Sequence, residues 1–233
     1  MSTNKIFCLG DGFAYGHIWP EWPQIMQALL PQYEIVLISG IGAGNEFLIS
    51  ELLEKGPAIK NQTVIFQWAD PLRFDKLIQD NDWVNIAKSD PVYYFNFYQC
   101  NNRNWWLSSA SQSGKIQEYH SCYIQDQQAQ LRLQNQKTLI QNYLQNNNCS
   151  YYFTSTQQQM DFSNEIKFTQ LRGNEIQPTP IVHFYFVTDV ILPAMNILYN
   201  ADRASILKNR IADQPWVAYD PDRIEIWQKL SII

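Results

Sequence analysis

Short apolar runs closed by glycine punctuate the first third of the chain. Residues 5–10 (KIFCLG) read as a buried strand. Residues 33–40 (YEIVLISG) and 62–69 (QTVIFQWA) read as two more. Between them the apolar period lengthens. Residues 21–31 place Trp22, Ile25, Met26 and Leu29 at helical spacing and stop at Pro31. Residues 43–56 (AGNEFLISELLEKG) predict a second helix, with Asn45 as N-cap and Gly56 as C-cap. Near-continuous apolar strands alternating with helices predict a parallel sheet covered on both faces, a three-layer α/β/α fold of the flavodoxin-like kind. Ligands of such sheets bind beyond the carboxyl ends of the strands, so residues 10–16, 40–45 and 67–73 are expected at one edge.

The pattern is less regular afterwards. Residues 90–112 are aromatic and polar and suggest an insertion near the site mouth. Residues 116–147 predict one long helix or two, 149–156 a fourth strand, and 181–198 a helix following Pro178 and Pro180, with Pro193 near a break. The α/β/α domain is placed at 1–198. Residues 199–233 form an extension expected to pack on the domain or on a neighbouring chain.

Composition narrows the function classes. A chain of 233 residues with no Gly/Ser/Pro-rich linker suits one full-sized domain. A net charge of −5 argues against a nucleic-acid surface, and no apolar stretch approaches the ~20 residues that span a bilayer. Only four apolar residues precede Gly10-Asp11, too few for a signal-peptide core. The expected setting is the cytoplasm, or a particle assembled there. Cys8, Cys100, Cys122 and Cys149 form no CxxC pair and read as reduced thiols, and neither a metal site nor a cofactor is expected. Eight Trp in a chain with only 17% charged residues suit either a dense core or a surface that meets partners or sugars. Trp19, Trp22, Trp68, Trp105 and Trp106 fall around the expected site loops. Trp22 and Trp68 are expected in the core, and the Trp105-Trp106 pair is the better candidate for exposure, since adjacent strand residues point to opposite sides.

Four segments then stand in a telling order: CLGDGFAYG (8–16), WP (22–23), GIGAGN (40–45) and NEIQPTPIVHFYFVTDVILP (174–193). Together they resemble the SGNH/GDSL hydrolase family, most closely a subset from phages and bacteria. The resemblance implies a single α/β/α domain whose first strand ends in Gly-Asp-Ser, with a late Asp and His completing a triad. Gly12 stands in the place of the nucleophilic serine, Gln177 in that of the base histidine and Glu175 in that of the aspartate. Gly42 matches a glycine whose N–H serves the oxyanion hole. The family's Gly-x-Asn-Asp donor has no match in QWADPLRFD (67–75), where Gln67 or Trp68 occupies the region.

Acyl transfer needs a nucleophile within reach of a base. Gly12 has no side chain and the Gln177 amide takes no proton near neutral pH. His183 is a candidate replacement base, with helix packing as the alternative. His17 and His120 read as surface or structural residues. Asp11 is expected to brace the first loop, and Arg73 to form a local ion-pair cluster with Asp70 and Asp75. Asp11, Gly12, Gly42, Asn45, Gln67 and Trp68 are thus candidates for binding rather than turnover. The leading expectation is a degenerate SGNH-like binding or assembly module, virion-associated by resemblance. Its partners would be other subunits or a carbohydrate, with neither nucleic acid nor membrane, and residues 199–233 are a candidate homo-oligomer contact. The alternative is an active esterase or carbohydrate O-deacetylase with a rearranged site.

Overall fold

A computed structural model of the chain describes residues 4–11, 20–40, 42–78, 97–100, 103–108, 126–155, 165–167 and 179–212. The strands are β1 (Lys5–Gly10), β2 (Glu34–Ser39), β3 (Thr63–Trp68), β4 (Phe74–Ile78), β5 (Phe97–Cys100), β6 (Arg103–Ser108), β7 (Ser150–Ser155) and β8 (Glu165–Lys167). The helices are α1 (Trp22–Leu29), α2 (Asn45–Glu54), α3 (Asp126–Asn146), α4 (Pro180–Tyr185), α5 (Leu192–Ala194) and α6 (Ala201–Ala212).

Five strands form a parallel sheet in the order β2-β1-β3-β7-β8. The chain steps outward from β1 to β2, then returns past β1 to β3. The winding therefore reverses between β1 and β3, and α1 and α2 cover opposite faces. The period of two along each strand divides the core accordingly. Ile6, Cys8 and Ile65 join Trp22, Ile25 and Met26 in one layer, with Phe186, Val187 and Leu207. Phe7, Leu9, Val64, Phe66 and Trp68 join Phe47, Leu48 and Leu52 in the other, with Leu133, Ile140 and Leu144 of α3. This is the expected three-layer α/β/α arrangement. Each such large apolar side chain contributes about 1.5–3 kcal/mol when fully buried. Cys8 is one of these core residues, and burial pushes its thiol up, so it stays protonated.

Residues 90–112, expected as an insertion, contribute two strands, β5 and β6. β4, β6 and β5 form a separate antiparallel sheet in that order. Aromatic-rich runs such as RNWWLS favour a pleated, half-buried surface. Trp105 and Leu107 are buried, and the Trp105 ring meets Phe47 of α2 edge-on at 5.5 Å. Of the pair expected to place its rings on opposite sides, Trp105 is the one turned inward; the side chain of Trp106 lies outside the described residues. From residue 126 onward the long helix is one element of 21 residues.

The late helix is broken in a specific way. Thr179 opens α4, its Oγ1 accepting the Val182 N–H. Residues Phe186–Ile191 then take π-helical turns before α5. Pro193 has no N–H to offer the carbonyl four residues earlier, and the Leu192 N–H reaches back to Val187 O. Beyond it, α6 returns Ala204, Leu207 and Ile211 to the core layer of α1 and α4.

Candidate functional site

The carboxyl ends of β1, β2 and β3 deliver Asp11, the turn at 40–44 and residues 69–73 to one edge of the sheet. One guanidinium links all three. Arg73 Nη1 lies 3.2 Å from Asp11 Oδ2 and donates to Ala43 O at 3.2 Å. Asp11 is 1% exposed, so its carboxylate is held inside the loop cluster. The expected cluster of Arg73 with Asp70 and Asp75 is therefore rearranged. Arg73 pairs with Asp11, while Asp70 Oδ1 accepts the Leu72 N–H at 2.8 Å and closes its own turn.

Asp75 has a different duty. From β4 it reaches the start of α2, where Oδ1 accepts the Gly44 N–H and Oδ2 the Phe47 N–H, each at 3.0 Å. These N–H groups have no partner within the helix, and the carboxylate also meets the positive end of the helix dipole. Burial pushes the Asp75 carboxyl up to about 7, with Glu46 adding to the rise; the two N–H donors and Arg73 pull the other way.

With Asp75 capping from outside, the N-cap is Gly44 and not Asn45. Asn45 is the first helical residue, and its side chain clamps the end of β3. Its Oδ1 accepts the Ala69 N–H at 2.9 Å and its Nδ2 donates to Ala69 O at 3.3 Å. Gly42 sits at φ +75°, the left-handed region that favours glycine, and a side chain there would meet nothing within 4 Å.

Gln67 and Trp68 end β3 on opposite faces. Gln67 Oε1 accepts the indole N–H of Trp22 at 2.9 Å. Both residues are fully buried, and Gln67 Nε2 and Trp68 Nε1 have no acceptor among the described residues. A buried donor with no acceptor at all costs about 1–3 kcal/mol. The Trp68 ring stacks on Phe66 at 4.1 Å, and Lys137 Nζ lies 5.7 Å from its centroid.

Two residues of α3 escaped the sequence reading. Lys137 is 1% exposed, and Arg132 Nη2 donates to Pro71 O at 2.7 Å and Arg73 O at 2.9 Å, holding the loop after β3. The available signal for Lys137 was its place on the buried stripe Ala129–Leu133–Lys137–Ile140–Leu144.

His183 is 1% exposed in α4, and burial pushes its pKa down to about 3. The imidazole is neutral at pH 7 and a weak proton acceptor. Gly12, His17, Trp19, His120, Glu175 and Gln177 lie outside the described residues. Among the described residues, no group of three His, Cys, Asp or Glu could hold a metal ion, and no helix is long and apolar enough to cross a membrane. Set against known proteins, the chain matches no family model, no curated protein and no solved structure.

Proposed function

We propose that this chain is a ligand-binding or assembly module on an SGNH-hydrolase-like frame whose reaction is lost. The observation that carries the reading is His183. It is the histidine offered as a replacement base for Gln177, and it is buried with a pKa near 3. Such a weak base contributes little to activating a nucleophile. The sequence adds that Gly12 and Gln177 stand where the resemblance expects the serine and histidine. A carbohydrate as ligand rests on the aromatic-rich sequence around the expected site loops. A place in a phage-like particle rests on the resemblance alone.

Hydrolysis of p-nitrophenyl acetate tests the reading. The wild-type chain is expected to match buffer. Gly12→Ser with Gln177→His is expected to raise turnover by about 100-fold, the lower end of what general-base catalysis supplies. Wild-type turnover that His183→Ala abolishes would sink the proposal in favour of an esterase or carbohydrate O-deacetylase.

A further inference from the structure

The outer face of α3 carries a groove of about 390 Å³ lined by Gln128, Leu131, Arg132, Asn135, Gln136 and Leu139. Leu131 and Leu139 are 58% and 53% exposed, while the opposite side of the helix buries Leu133, Ile140 and Leu144. The two leucines stand on one exposed stripe, about 12 Å apart along the helix.

The stripe has an internal symmetry. Asn135 is its centre. A leucine lies four residues to either side, and an amide, Gln128 or Asn142, lies seven to either side. Gln128, Asn135 and Asn142 are all exposed. A two-fold axis at Asn135 of an antiparallel helix pair sets position 135+n of one chain opposite 135−n of the other, so a stripe symmetric about Asn135 meets like residues on its own copy. Charge agrees. The five positions carry none, and Arg132 on the flank is engaged by Glu46 and by the backbone of Pro71 and Arg73. Carboxamides both donate and accept, so Asn135 can bond to its own copy, much as a single Asn sets register in paired helices.

We propose that this face of α3 binds the same face of a second copy, antiparallel about a two-fold axis at Asn135. Leu131 of each chain then packs on Leu139 of the other. This surface is distinct from residues 199–233.

Sedimentation equilibrium of the full chain at about 100 μM, well above a micromolar dissociation constant, reads the mass. The expected value is twice the 27.3 kDa of one chain. L131E/L139E is expected to halve that mass without changing the circular dichroism, because both positions are exposed. Cysteine cross-linking reads the register against the unmodified chain. Asn135→Cys is expected to give a disulfide-linked dimer. Leu131→Cys alone is not, because its own copy lies eight residues along the helix, about 12 Å away, beyond disulfide reach. A wild-type mass of one chain overturns the proposal and leaves the face to another partner. A doubled mass that survives L131E/L139E, or equal cross-linking by Leu131→Cys, overturns it as well.

Discussion

Gly44 and Asp75 occupy each other's space. Gly44 has an extended backbone that any residue adopts, so its need for glycine is one of room. A Cβ there would stand 2.7 Å from Asp75 Oδ2, closer than real contacts allow. Gly44→Ala is therefore expected to push the carboxylate off the start of α2 and cost about 1–2 kcal/mol, the size of a lost helix cap. Asp75→Ala removes the same cap and is expected to cost a similar amount. The double variant is expected to cost clearly less than the sum, because the alanine at 44 no longer meets a carboxylate. Urea unfolding of all four proteins measures this; strict additivity would show that the two residues do not share one contact.

At the scale of elements, what was legible in the sequence was what is local. The alternation of Ile6, Phe7, Cys8 and Leu9 assigns β1 to a central strand with both faces buried. The helical spacing of Trp22, Ile25, Met26 and Leu29 likewise marks a helix lying on that sheet. The cap of α2 was not legible, because its acceptor lies 31 residues along the chain from Gly44, on a strand of a different sheet. Residue type alone made Asn45 the natural N-cap, and the arrival of Asp75 released its amide to clamp Ala69. The adjacent Trp105 and Trp106 pose a related problem. Adjacent strand residues face opposite ways, and the pairing of β6 with β4 decides which ring is buried. Trp105 turns to Phe47, while Arg103 of the same strand reaches Glu51 and Glu54 of α2 at 2.6 and 2.8 Å. The small sheet is thus fastened to α2 by the Trp105–Phe47 contact, the Arg103 ion pairs and the Asp75 cap. Trp105→Ala is expected to destabilise the fold by about 3–5 kcal/mol, the cost of emptying a large buried site. A shift in urea midpoint worth less than 1 kcal/mol would mean that this sheet does not depend on its aromatic anchor.

For the whole molecule, two buried titratable groups pull stability in opposite directions with pH. Asp75 titrates near 7 in the folded chain and at about 3.9 when unfolded. Between those values the folded state holds a proton that the unfolded state has lost, so stability falls as pH rises from 4 to 7. His183 titrates near 3 when folded and at about 6.5 when unfolded. There the unfolded state holds the extra proton, so stability falls as pH drops from 6.5 toward 3. Each slope is at most about 1.4 kcal/mol per pH unit, and between pH 4 and 6.5 they oppose one another. The groups sit on opposite sides of the sheet, Asp75 at α2 and His183 in α4, so their effects should separate cleanly by substitution. Asp75→Asn is expected to steepen the loss of stability on acidification, because the His183 slope is left without its opponent. His183→Gln is expected to do the reverse and flatten that loss relative to wild type. Chemical unfolding of the three proteins at half-unit steps from pH 4 to 7 gives the slopes directly. Other carboxylates contribute equally to all three, so the differences between curves carry the test. Parallel curves would mean that neither group changes its protonation on unfolding, and would remove the ground for treating His183 as too weak a base.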